Sequence, residues 1–200
     1  MKLTDSVDTT AHQSTQLTRD SLPDMPDRQM SASELQAWVD EFAKHKELWT
    51  GEVAHDTGDR HFASLYRDNN IDVWLLCWNV CDDTGWHDHD VSSGAVAVTR
   101  GEVSESRLRI GEDAATRVVD AGRSFGFGPD HIHRMSGHID GSVSIHVYSP
   151  PLWRMGQYSV SPAGVLRRLS VSYADELRPM DESEIMERSK SHGLDGGTRS

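Results

Sequence analysis

Hydrophobic residues follow two periods along this chain, and the change of period divides it. Between Ser31 and Lys46 they recur at Leu35, Trp38, Val39 and Phe42, the i, i+3, i+4, i+7 stripe of an amphipathic helix. Ser31-Ala-Ser-Glu34 ahead of the stripe is a capping-box pattern, so the spacing predicts a helix over 31–46 lying on the outside of a sheet. From about His61 the period falls to two. His61–Arg67 and Ile71–Trp78 read as the strands of a hairpin turned at Asp68-Asn69-Asn70. Further strands are expected at about 94–100, 102–110, 116–119, 124–127, 132–136, 143–149 and 157–160, with Val165–Val171 as a last one. Gly101, Gly111, Gly122 and Gly137–Gly141 punctuate them. Many short strands at close spacing predict an antiparallel sandwich or small barrel.

The flanks read differently. Residues 1–29 are rich in Ser, Thr, Asp and Gln and free of aromatics, the composition of a disordered arm. One domain is expected over 30–178, followed by a helix and tail over 179–200. Short helices are predicted at Ala174–Leu177 and Asp181–Arg188, and the Gly-rich end from His192 to Ser200 is expected to be mobile.

A chain of 200 residues suits one domain with tails. Its formal charge of -12, from 20 basic and 32 acidic residues, argues against nucleic acid and anionic membrane as partners. Cys77 and Cys81 do not make a disulfide scaffold, because residues i and i+4 along a strand lie too far apart to bridge. Without disulfides, transmembrane-length apolar runs or a signal-peptide core, a reducing cytoplasm is the expected compartment.

The candidate chemistry centres on Thr84–Gly101. His87 and His89 are two apart, so on a strand their imidazoles share a face and can take adjacent corners of a metal's coordination sphere. Taken alone they read equally well as surface histidines in a loop, flanked as they are by Asp88 and Asp90. A third ligand is available from the Gly-Pro-Asp-His-Ile-His run at 128–133, where His131 and His133 share a face. Three histidines with no nearby Cys favour a nitrogen-ligated transition metal over a structural zinc clip.

His87-x-His89 with Gly94 and Gly101, then Gly122 through His133, then Ser144-Ile-His146-Val-Tyr148-Ser149-Pro150-Pro151, form three motifs in order. Over roughly residues 60–173 the chain resembles the cysteine dioxygenase family of thiol dioxygenases, which are cupins. The resemblance implies an all-β cupin barrel or jelly roll with an N-terminal helix. It implies Fe(II) held by His87, His89 and His133, the last from the family's Ile-His-Arg pattern at 132–134, with His131 on the rim or behind the ligands. His138 is expected in solvent. Gly94 stands where general cupins carry a Glu ligand and where some animal members carry a Cys crosslinked to the active-site Tyr, so no thioether is expected. Ser144, His146 and Tyr148 look like the family's relay, in which the phenol handles a proton beside the metal. The Ser149–Pro150 bond is expected to be cis.

The family also aims an Arg of the first hairpin at the substrate carboxylate. Arg60 and Arg67 have opposite parity on a regular strand, and Arg60 shares the face of Phe62, near the expected position, so Arg60 is favoured. Phe62, Trp78 and Met155 are expected to line the pocket with it, with Trp78 and Met155 reading equally well as plain core residues. Animal members place a Tyr two residues before this Arg; the run Arg60-His61-Phe62 offers no phenol. The implied reaction is oxidation of L-cysteine by O2 to the sulfinic acid, with 3-mercaptopropionate or a related thiol acid as the rival substrate. A metal-binding cupin without catalysis is the alternative of a different class.

Overall fold

The computed structural model describes residues 17–55, 60–109, 111–160 and 166–172. A helix, α1 (Ala32–Phe42), precedes eleven strands: β1 (Phe62–Arg67), β2 (Asp72–Trp78), β3 (Trp86–Asp88), β4 (Ser93–Arg100), β5 (Glu102–Arg107), β6 (Ala115–Asp120), β7 (Ser124–Phe127), β8 (His133–Gly137), β9 (Ser142–Ser149), β10 (Arg154–Val160) and β11 (Leu166–Ser172). They form two antiparallel sheets, one ordered β1-β2-β9-β4-β7 and the other β11-β10-β3-β8-β5-β6. This is the expected all-β jelly roll. The predicted helices at 174–177 and 181–188 and the tail lie outside the described residues.

Alternation along the central strands sorts side chains into two cores. Val73, Leu75 and Cys77 of β2, Ala95 and Ala97 of β4 and Val143, Ile145 and Val147 of β9 face outward and pack beneath Leu35, Trp38, Val39 and Phe42 of α1. The opposite faces of the same strands turn inward, where Trp74, Leu76, Trp78, Val96, Val98 and Tyr148 meet Met135 and Met155 of the second sheet. Because α1 covers the aliphatic face, the polar residues of β9 are left to the barrel interior.

Local chemistry explains the boundaries. Ser31 and Glu34 make the reciprocal capping box at the start of α1. The helix ends at Phe42 rather than near 46, where its apolar stripe runs out, and a 3-10 turn at Lys46–Leu48 follows. At the first hairpin the Asp68 carboxylate accepts from the backbone N–H groups of Asn70 and Ile71. Gly101, at φ 70, makes the turn between β4 and β5, and a side chain there would run into Ser142.

The disordered arm expected over 1–29 is corrected in its described part. Residues 17–29 pack onto the body: Leu22 joins the core under α1, Arg19 pairs with Asp68 at 2.8 Å, and Trp38 Nε1 donates to the Pro23 carbonyl. Composition misleads here because Leu17, Leu22 and Met25 are enough to anchor a short polar segment on a neighbouring apolar stripe.

Candidate metal centre and its hydrogen-bond chain

Three imidazoles meet inside the barrel. His87 lies on β3 and is paired with His133 on β8, so two side chains from neighbouring strands stand side by side. His89 follows the last residue of β3, and the chain then turns away through Asp90 at φ 54. All three residues are buried, and their ligand atoms lie within 4.8 Å of one another, an arrangement able to hold a metal ion. His133 Nε2 and both His89 nitrogens are buried without a hydrogen-bond partner. A buried polar atom without a partner is costly, and a metal ion would give His133 Nε2 and one of the His89 nitrogens the partner they lack. Burial, then mutual repulsion, pushes His87 and His89 well below the ordinary histidine range, so both are neutral and their lone pairs are available.

The opposite ring atoms are held from behind. The His87 Nδ1–H donates to the Gly85 carbonyl at 3.1 Å. The His133 Nδ1–H donates to Glu105 Oε1 at 3.2 Å, and His131 Nε2 reaches the same oxygen at 2.9 Å. Such partners fix the tautomer and turn each Nε2 toward a common centre. Glu105 is fully buried, and Arg117 closes its other oxygen at 2.6 Å. Burial pushes the Glu105 carboxyl up, but the bonds from His131 and His133 outweigh it and hold the group well below the ordinary range. Half-buried His131 stacks on Phe127 and bonds the outer carboxylate, and exposed His138 pairs with Glu102, both as expected. Sequence reading missed Glu105, whose only signal is an acidic residue at an inward position of β5. Glu105→Gln is expected to weaken metal affinity by roughly 10–100-fold, measured by competition with a chelator.

Asp88, between the two motif histidines, points the other way. It accepts from Tyr158 at 2.5 Å, from Arg168 Nε at 2.7 Å and from the Gly156 N–H at 3.0 Å, tying β3 to the β10–β11 hairpin. Burial pushes its carboxyl up, but these bonds outweigh it and hold it at about 2. A carboxyl depressed from 3.8 to about 2 stabilises the fold above pH 4 by about 2 kcal/mol, and loses this as pH falls toward 2. Asp88→Asn is therefore expected to be less stable at pH 7 by about that amount in urea denaturation, with the gap closing below pH 4.

A second polar line runs down β9. Trp78 Nε1 donates to Ser144 Oγ at 2.8 Å, Ser144 Oγ meets His146 Nε2 at 2.8 Å, and His146 Nδ1 meets Tyr148 Oη at 3.2 Å. Burial lowers His146 to about 3, so it is neutral at pH 7. The Tyr148 ring lies 5.1 Å from His89 between centroids, which brings the line to the imidazole cluster. Gly94 is the register partner of Tyr148, and a Cβ on Gly94 would run into the Phe127 ring. Phe127 thus fills the space that a crosslinking thiol would need, and the protein is expected to show the intact mass of its sequence.

Between the two lines lies a small cavity of about 50 Å³, bounded by His87, His146 and Tyr148, by Arg60 and Thr84, and by Trp74, Leu76, Met135, Leu152 and Met155. A single water needs roughly 10–15 Å³, so this space holds a few waters or a small molecule of comparable size. Met155 lines it. Phe62 and Trp78 do not: Phe62 packs on Trp74, and Trp78 sits behind Arg60, whose guanidinium carbon is 4.9 Å from the ring centroid. Arg60 stands at the cavity, and the parity argument against Arg67 is corrected. The register of β1 on β2 shifts between Ser64 and Tyr66, so Arg67, opposite Asp72, falls on the inward side too. Arg67 is instead engaged at the barrel's end by Asp72 and, at 3.0 Å, by the Leu152 carbonyl. The Ser149–Pro150 bond is cis.

The model of the cysteine dioxygenase type I family matches residues 4–161. The chain belongs to this family. Among solved structures, it is similar to KdgF from Halomonas sp., with 14% identity, a TM-score of 0.43 and coverage of 51% of this chain and 91% of that one. It is also similar to a double-stranded β-helix protein from Klebsiella pneumoniae, with 12% identity, a TM-score of 0.45 and coverage of 60% and 91%. Among the described residues no helix is long and apolar enough to cross a membrane.

Proposed function

We propose that this cysteine dioxygenase family member is an iron(II)-dependent thiol dioxygenase that oxidises L-cysteine to cysteine sulfinic acid. The observation that carries the reading is the meeting, at one small cavity, of a three-imidazole cluster, a phenol at the end of a hydrogen-bonded line, and a buried arginine. His87, His89 and His133 would hold the metal, and three neutral ligands on one side suit ferrous iron with positions left over. Iron, when bound, supplies the binding positions and electrons that let O2 react with a thiolate. The reaction RSH + O2 → RSO2H balances without a further reductant.

The protein's part is to place and protonate. Arg60 grips the substrate carboxylate, for which a guanidinium offers two parallel hydrogen bonds. Trp74, Leu76, Met135, Leu152 and Met155 exclude water around the sulfur. Tyr148, held by His146 and Ser144, moves a proton at the thiol or the incoming oxygen. A reducing compartment such as the cytoplasm suits a thiol substrate. Turnover of L-cysteine and of 3-mercaptopropionate by iron-loaded protein, followed by O2 uptake, tests the substrate. Preference for L-cysteine supports the assignment, and preference for the amine-free thiol sinks it. Stoichiometric zinc in the purified protein, with no O2 uptake after reconstitution with ferrous iron, would favour a binding cupin.

A further inference from the structure

Trp78 touches both halves of the machinery. It is fully buried, its Nε1 reaches Ser144 Oγ at 2.8 Å, and its ring lies under the Arg60 guanidinium at 4.9 Å. The same ring stacks on His146, with centroids 6.3 Å apart and planes at 30°.

Donor and acceptor rules give the line a direction. An indole N–H can only donate, so Ser144 Oγ accepts from Trp78; among the described residues its other partner is His146 Nε2, 2.8 Å away, and the buried hydroxyl proton is satisfied only by donating there. A neutral imidazole accepting at Nε2 carries its proton on Nδ1, which faces Tyr148 Oη at 3.2 Å. The phenol oxygen then accepts, and the phenol's own proton points away from His146. In the opposite direction Ser144 Oγ would accept from both Trp78 and His146 and leave its own buried proton without a partner, which is costly.

We propose that Trp78 is a positioning residue that fixes the direction of this line, making Tyr148 a proton donor toward the cavity, while its ring face seats Arg60 at the same cavity. This rests on the thiol dioxygenase reading above. Two roles on two parts of one side chain are separable. Trp78→Phe keeps an aromatic face for Arg60, though a smaller one, and removes the donor. Ser144→Ala cuts the line and leaves both the indole and Arg60 in place.

The first readout needs neither metal nor turnover. Long-range proton–nitrogen NMR of metal-free protein is expected to find His146 protonated on Nδ1 alone in the wild type. In Trp78→Phe and in Ser144→Ala a mixture of tautomers is expected. In iron-loaded protein both variants are expected to lose kcat by roughly tenfold to 10²-fold, the scale on which mispositioning costs rate, with KM for the thiol acid little changed. Trp78→Leu, which also removes the face under Arg60, is expected to raise KM as well. A wild-type His146 protonated on Nε2, or a Trp78→Phe protein with unchanged tautomer and kcat, overturns the proposal. If Trp78→Phe does not fold, an unchanged tautomer and kcat in Ser144→Ala overturns it equally. If the wild type turns over no thiol, the dioxygenase reading fails while the tautomer measurement still decides the direction of the line.

Discussion

His133→Ala, like His87→Ala and His89→Ala, is expected to give a folded protein that no longer retains iron. Each imidazole supplies one of three ligand atoms within 4.8 Å of one another. Losing a ligand costs more than the roughly 10–100-fold expected for an outer partner. The metal-free fold should tolerate the change, because the His89 ring has no hydrogen bond to lose and His133 and His87 give up their bonds to Glu105 and to the Gly85 carbonyl. Wild-type protein should gain thermal stability when ferrous iron is added anaerobically, as any ligand that binds only the folded state confers, and the three variants should not. His131→Ala is the control. His131 bonds Glu105 rather than facing the cluster formed with His87 and His89, so the variant should keep its iron. Loss of iron from His131→Ala with retention in His133→Ala would reverse the assignment.

Tyr148→Phe is expected to bind iron and thiol normally yet turn over on the order of 10²-fold more slowly, the usual contribution of a positioned acid–base group. The substitution removes one hydroxyl and leaves the ring, which packs 5.1 Å from His89. It deletes the end of the line from Ser144 through His146 without touching the imidazole cluster. Steady-state O2 uptake and iron content measured on the same sample check it. An unchanged rate would remove Tyr148 from the mechanism.

Much of this architecture was legible in the sequence because the periods are clean. The stripe Leu35–Phe42 predicts the buried face of α1, as found, and the alternation through 143–149 predicts a strand, although both of its faces are buried. The polar interior was not legible from pattern. Val143, Ile145 and Val147 look like an ordinary core face, and only the helix laid over them turns Ser144, His146 and Tyr148 inward. Three features escaped for reasons of geometry. The register shift in β1 changes parity after Ser64, which no alternation rule anticipates. No pattern marks Glu105 or Asp88, because their partners His131, Arg117, Tyr158 and Arg168 come from other segments of the chain. Trp78 was expected on the pocket wall or as a plain core residue, whereas its indole reaches Ser144.

The most direct measurement is turnover of L-cysteine by the iron-reconstituted protein under isotopically labelled O2. The expected result is one O2 consumed per cysteine, with both oxygens of the sulfinic acid carrying the label. Cystine or peroxide as the product, a sulfinic acid labelled at only one oxygen, or no O2 uptake by protein that has bound ferrous iron, would contradict the account.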